Sequence, residues 1–325
     1  MHFFSGKESS MQHFTSSGIV LRRRRTAKEM WKYRHYYILL LPALLFFVFF
    51  HYVPMAGVIL AFKDFSYAKG IFGSEWVGLE HFRRLFGSAS FYEVLGNTLI
   101  ISFYRIAFVF VSPIIFALLL NELRNVRFKR FVQTISYLPH FISWVVLGGI
   151  IMELLSPTRG VVNYFIKLLG FEPIYFLSSN DHFRGVLIVS DIWQSVGWGS
   201  IIYLAAIAGI NPDQYESASI DGATRWQMAF RITLPSILPT VVILFIFQLG
   251  GIMHAGFDQI FNLYNPSVYK VADIIDTYVY RIGLVNLDYD YTTAVGLFKN
   301  VVGFILVILA NVVTGRIREG EYRLW

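Results

Sequence analysis

Residues Glu216 to Pro235 read ESASIDGATRWQMAFRITLP, a polar and strongly punctuated stretch between two long apolar runs. Asn211-Pro212 just upstream has the form of an N-cap followed by proline at the first helical position, and Asp213 and Glu216 favour the positive end of a helix dipole. A first helix is therefore expected from Pro212 to about Asp221. Gly222 ends it, because glycine enters the left-handed C-terminal conformation without a steric penalty. Thr224-Arg225-Trp226-Gln227 has the spacing of a capping box and starts a second helix, whose apolar positions Trp226, Ala229, Phe230 and Ile232 could share a face. Pro235 disfavours helical geometry at Leu234 and should turn the chain back. Small residues Ser217, Ala218, Ser219 and Ala223 around the turn permit close approach of another surface. The alternative is an ordinary interhelical loop, but cap, stop and restart all fall within one short stretch.

The apolar runs on either side are two of six, at roughly 36–61, 95–121, 131–155, 185–209, 236–262 and 292–315. Each exceeds the roughly 20 residues that cross about 30 Å of hydrocarbon at 1.5 Å per residue. With 55% hydrophobic and 15% charged residues among 325, the chain is too apolar for an ordinary soluble domain. Continuous runs exclude a β-barrel, which shows short alternating segments. The expected fold is all-α: a polytopic integral membrane protein with six transmembrane helices. The chain contains no cysteine, which excludes disulfides, thiol catalysis and Cys-ligated metal.

The net charge of +7 is a topology signal. With six spans, residues 1–35, 122–130, 210–235 and 316–325 share one side and hold 17 Lys/Arg, against 9 on longer loops opposite. The positive-inside rule then puts both termini in the cytoplasm, and no nucleic acid is implied. The first run is not read as a cleaved signal peptide, because some 35 residues precede it and no small-residue cleavage pattern follows. Arg22 to Arg25, Lys28, Lys32 and Arg34 are expected to pin its end against anionic lipid headgroups, with Trp31, Tyr33, Tyr36 and Tyr37 at the interface. Residues 1–20 read as a flexible tail.

Pro42, Pro54, Pro113 and Pro139 are breakers within the spans, either static kinks or hinges. The external segments 62–94, 156–184 and 263–291 are long for connections without a task. Asp288 and Asp290 in the last read as a solvated loop pair. The expected layout is a tail and interfacial segment over 1–35, a six-span unit over 36–315 with the hairpin at 211–235, and a tail over 316–325.

Glu216, Ala218, Gly222, Ile232, Leu234 and Pro235 closely resemble the coupling motif of permease subunits of binding-protein-dependent ABC importers. That pattern is Glu-Ala-Ala, three residues, Gly, nine residues, Ile, one residue, Leu-Pro; Ser217 replaces the second alanine. Asp221-Gly222-Ala223 is similar to the carbohydrate branch. Pro42-Ala43, Asn97-Thr98, Tyr137-Leu138-Pro139 and the ending Glu321 to Trp325 resemble the first permease subunit of polysaccharide and oligosaccharide importers, including alginate-type and rhamnogalacturonan-type ones.

The resemblance implies a type I importer bundle in the bacterial inner membrane, without an ATP site or cofactor of its own. ATP and Mg would be used by two copies of a partner ATPase. The other implied partners are a second, non-identical permease subunit, an extracytoplasmic sugar-binding protein, membrane lipid and an oligosaccharide substrate. The first hairpin helix would sit in a cleft of the ATPase, with Glu216 facing donors there. Closure of the ATPases would drive the bundle between inward-open and outward-open states. The absence of a Gly-x-x-x-x-Gly-Lys-Ser/Thr loop fits this division of labour.

Polar groups at membrane depth are candidates for the substrate path. Asp191, Gln194 and Ser195 recur at helical spacing near Trp193 and Trp198. The fifth run carries Gln248, His254, Asp258 and Gln259, the second Arg105, and the sixth Lys299 and Asn300. Gln194, Trp198, Gln248 and His254 are the expected cavity residues, and Arg105 and Lys299 would pair with carboxylates on acidic cargo. Against this, His254 could bridge helices, Asp191 and Asp258 could be solvated near the interface, and Arg105 could snorkel. No catalytic or metal-binding constellation is evident. The rival function is an ion-gradient-driven secondary transporter with Asp191, Asp258 and Lys299 as its relay. It calls for an inverted repeat and paired broken helices, and the sequence displays neither.

Overall fold

The computed structural model describes residues 31–317. The basic run from Arg22 to Lys28, the tail over 1–20 and the ending Glu321 to Trp325 lie outside the described residues. The chain divides into two compact units, one up to Val58 and one from Ile59 onward.

Among the described residues, five helices are long and apolar enough to cross a membrane, or six if one bent pair counts as a single span. In chain order the principal helices are α1 (Arg34–Phe62), α2 (Ala89–Glu122), α3 (Val126–Phe141) and α4 (Trp144–Leu154). They continue with α5 (Phe183–Ala208), α6 (Asp213–Ile220), α7 (Arg225–Gly250), α8 (Phe257–Leu263) and α9 (Tyr289–Ile317). The polytopic all-α expectation holds. One two-residue antiparallel ladder, Lys63–Asp64 with Glu75–Trp76, is the only sheet among the described residues.

In the first unit, Trp31, Tyr33, Tyr36 and Tyr37 are exposed, and the Arg34 guanidinium lies 4.7 Å from the Trp31 ring centroid. This is an arrangement suited to a polar–apolar boundary.

The prolines act less uniformly than expected. Pro54, Pro113 and Pro235 each follow a π turn, at Val48–Tyr52, Arg105–Val109 and Ala229–Thr233. A proline ring clashes with the carbonyl four residues earlier, here those of Phe50, Val109 and Arg231. All three lie inside the π turns, where the widened backbone takes up the clash without ending the helix. The expected break at Leu234 therefore does not occur: its φ and ψ are −62° and −45°, and α7 runs on through it. At Pro139 the chain does break. A 3₁₀ turn at Leu138–Phe141 ends α3, and α4 leaves at 107°.

The fifth run is also broken. α7 ends at Gly250, residues 251–256 are non-helical, and α8 restarts at Phe257. At membrane depth the freed backbone groups must be satisfied from within. Ser102 Oγ donates to the Ile252 carbonyl, and Arg105 Nη1 donates to that of Ala255 at 2.8 Å. Gln259 Nε2 donates to Leu187 O at 2.7 Å and Ser190 Oγ at 2.9 Å, so this residue serves packing. Two spans are thus broken, contrary to the expectation of none.

The core lies where these breaks meet the long helices. One cluster joins Ile101, Leu147, Phe183, Leu187, Ala255 and Ile260; a second centres on Leu85, Phe91, Met253, Tyr278 and Tyr291; a third on Ile114, Tyr203, Ile207 and Ile237. Asn97 and Thr98 clamp the segment after α8. Asn97 Nδ2 donates to the Lys270 and Asp273 carbonyls at 3.1 Å each, and Thr98 Oγ1 accepts from Ile275 N at 2.9 Å. Asp288 and Asp290 are not a solvated pair. Asp288 accepts from Arg84 at 2.7 Å, and buried Asp290 accepts from Phe65 N at 3.0 Å.

Candidate functional site

Two regions bear on function, at opposite depths of the bundle. The first is the hairpin between α5 and α7. Asn211 Oδ1 accepts from Asp213 N at 3.0 Å, and α6 follows over eight residues. Its end is a Schellman motif: Ala223 N donates to Ala218 O at 2.9 Å, and Gly222 N to Ser219 O at 3.1 Å. Gly222 has φ +75°, and a Cβ there would meet no atom within 4 Å, so glycine is required by backbone conformation alone. The expected capping box is present. Gln227 N donates to Thr224 Oγ1 at 3.3 Å, and Thr224 N to Gln227 Oε1 at 2.7 Å.

Two contacts tie the hairpin down. The Tyr215 hydroxyl meets Thr233 Oγ1 at 2.9 Å, and Arg225 Nη1 donates to Glu122 O at 3.3 Å at the end of α2. Apart from Tyr215 and Ala218, α6 faces outward. Glu216, Ser217, Asp221 and Gly222 are exposed, Ala218 and Ala223 half-buried, and Ile220 is 87% exposed. Ile232 and Leu234 are half-buried, while Pro235 is exposed. The expected apolar face is split: Trp226 and Phe230 stack at 6.2 Å and are exposed, whereas Ala229 is buried and Ile232 half-buried.

The second region is a cavity of about 500 Å³ between α2, α5 and α7, lined by Arg105, Pro113, Asp191, Gln194, Ser195, Tyr203 and Gln248 among others. Arg105 lies ~24 Å along α2 from Ala89 at 1.5 Å per residue, near the middle of that helix. Its Nη2 is 2.7 Å from Asp191 Oδ2, and Asp191 is 3% exposed, so Arg105 does not snorkel and Asp191 is not solvated. Gly256, at φ +93°, makes room for the guanidinium; a Cβ there would sit 1.7 Å from Arg105 Nη1.

Of the six expected path residues, the cavity brings together Arg105, Gln194 and Gln248. The other three lie elsewhere. Trp198 stacks on His140 at 4.8 Å beside the bend between α3 and α4, His254 is exposed in the break after α7, and Lys299 pairs with Asp276. Lys299 is therefore occupied by an internal carboxylate. The supposed relay of Asp191, Asp258 and Lys299 is not assembled, since Asp191 and Lys299 hold different partners and Asp258 is exposed. Tyr203 and Gly256 were missed as site residues. The stripe Asp191, Ser195, Gly199, Tyr203 at four-residue spacing could have revealed Tyr203.

Residues 110–319 match the family of binding-protein-dependent transport system inner membrane components. The chain belongs to that family. It is a permease subunit of an ABC importer, and it is multi-pass.

This permease is 47% identical over 262 residues to the polygalacturonan/rhamnogalacturonan transport system permease protein YteP of Bacillus subtilis, covering 81% of this chain and 82% of that protein. It is 44% identical over 274 residues to protein LplB of the same organism, covering 84% and 86%. Among solved structures it is similar to a bacterial ABC transporter involved in the import of the acidic polysaccharide alginate. The TM-score there is 0.84 with 44% identity, over 90% of this chain and 99% of that one. A second match is a bacterial alginate ABC transporter in complex with alginate pentasaccharide-bound periplasmic protein, with a TM-score of 0.83, 43% identity, and coverage of 90% and 98%.

Proposed function

We propose that this permease carries acidic oligosaccharides, delivered by an extracytoplasmic binding protein, through the cavity between α2, α5 and α7 into the cytoplasm. The observation that carries the proposal is a cavity, midway along α2, that holds an arginine beside amide and hydroxyl side chains. A carbohydrate path calls for side chains that meet hydroxyls, here Gln194, Ser195 and Gln248, and a charged chain adds a need for a cation. The similarity to a polygalacturonan/rhamnogalacturonan permease and to an alginate importer supports the same substrate class.

In this reading α6 docks in a cleft of a partner ATPase, with Glu216, Ser217, Ala218, Asp221, Gly222 and Ala223 at the contact. Ile232, Leu234 and Pro235 transmit its movement into α7. Support comes from the contrast between its exposure and its order: α6 is capped, hinged and outward-facing, yet tethered by Tyr215 and Arg225 to the helices it would move. ATP and Mg are used by two copies of that ATPase, a second non-identical permease completes the pathway, and both termini are cytoplasmic.

Because the chain has no cysteine, a single Ser217→Cys can be labelled without background. A membrane-impermeant maleimide should modify it in inside-out vesicles and leave it untouched in right-side-out ones; the reverse pattern rejects the topology. In proteoliposomes holding both permeases, the ATPases and the loaded binding protein, Gly222→Pro or Glu216→Lys should abolish uptake while membrane insertion persists. Normal uptake by either variant rejects the coupling role.

A further inference from the structure

The Arg105–Asp191 pair has features that packing does not explain. A buried ion pair is a weak source of stability, because desolvating both charges offsets their attraction. Here the geometry is also imperfect: Asp191 Oδ2 lies 2.7 Å from Arg105 Nη2 yet receives no hydrogen bond of acceptable geometry. The carboxylate is held close to the guanidinium but not well joined to it. Arg105 has a separate anchor, since its Nη1 donates to the Ala255 carbonyl at 2.8 Å across the break after α7. The cation thus keeps a fixed position without relying on Asp191. Both side chains line the cavity, together with Gln194, Ser195 and Gln248. Lys299 offers a contrast, since it pairs with Asp276 and does not line this cavity.

We infer that Asp191 is a built-in surrogate for a cargo carboxylate: it holds Arg105 until the carboxylate of an acidic sugar takes its place. The exchange keeps Arg105 paired throughout, and the released Asp191 carboxylate accepts hydrogen bonds from hydroxyls of the incoming sugar, so neither charge is left alone in a low-dielectric site. A neutral sugar has nothing to offer in return, and its entry leaves Arg105 with Asp191. Arg105 therefore sets selectivity for anionic chains, and Asp191 is the internal competitor that an entering chain must displace. The cavity, at about 500 Å³, lies within the range of roughly 300–1,000 Å³ typical of small-molecule sites. This inference rests on the acidic-oligosaccharide reading above and adds the pair of residues that would enforce it.

The test uses the complete transporter in proteoliposomes, with trigalacturonate and its methyl ester as probes, each loaded on the binding protein to equal occupancy. The wild type should carry the free acid at least about tenfold faster than the ester, as loss of one charge-assisted contact implies. Arg105→Gln with Asp191→Asn removes both charges at once and leaves no lone buried ion; in it, acid uptake should fall to the rate of the ester. Asp191→Asn alone frees Arg105 from its internal partner and should strengthen the preference for the acid. Equal wild-type rates for the two probes would overturn the inference while leaving sugar import standing. So would an undiminished preference in the double variant, or a preference in Asp191→Asn alone no greater than that of the wild type. Wild-type failure to carry either probe would sink the substrate class and the inference with it.

Discussion

The hairpin and the cavity are ordered by opposite means. In the hairpin each cap lies two to five residues from the group it satisfies: Asn211 takes the Asp213 amide, Thr224 and Gln227 serve each other, and Ala223 closes onto Ala218. In the cavity the key contacts cross the chain. Arg105 reaches a carbonyl 150 residues away and a carboxylate 86 residues away. Local order leaves a surface free for a partner, because nothing in the bundle is needed to complete it. Long-range order instead produces a site whose parts fail together.

This contrast can be broken most readily at Arg105. Arg105→Gln leaves Asp191 as a lone buried charge, and thermal unfolding in detergent should report a loss of about 3–5 kcal/mol, largely restored by adding Asp191→Asn. A loss as large in the double variant would mean that the pair itself, and not the stranded charge, supports the fold. Gly256→Ala should come next, at ~2–4 kcal/mol, because it forces a side chain into a left-handed backbone and against Arg105. The same exchange in the hairpin, Gly222→Ala, meets no neighbour and should weaken the turn by only about 1–2 kcal/mol, read as faster proteolysis near residue 222 with an unchanged melting temperature of the bundle. Thr224→Ala removes one cap and should weaken the same turn by ~1 kcal/mol, visible as faster amide exchange at Gln227. A fall in bundle melting from either hairpin variant would show that the two regions are coupled in stability as well as in motion.

The same division explains what could be read from the sequence. The hairpin caps and its glycine stop were legible because each is written in adjacent residues. Span existence was legible for the same reason, since an apolar run needs no partner to be recognised. Leu234 was misjudged because the π turn at Ala229–Thr233 absorbs the proline, and no residue type announces such a turn. The break after α7 left traces in Gly250, Gly251 and Gly256, but the carbonyls it frees are satisfied from α2, which no local pattern reveals. Asp288 and Asp290 looked solvated because Arg84 and the Phe65 amide lie more than 200 residues away in sequence. Lys299 looked available for cargo because Asp276 belongs to a different segment.

The π turn at Arg105–Val109 has a geometric consequence for the cavity. In an unbroken α-helix, residues eight apart point about 80° away from each other, at roughly 100° per residue. One extra residue in the turn brings the effective separation to seven, near two whole turns, and shrinks that divergence to about 20°. Arg105 and Pro113 therefore look into the same hollow, more closely in phase than a regular helix would place them. A single inserted residue, tolerated for the sake of a proline, sets the angular phase that aims a charge at the middle of the membrane.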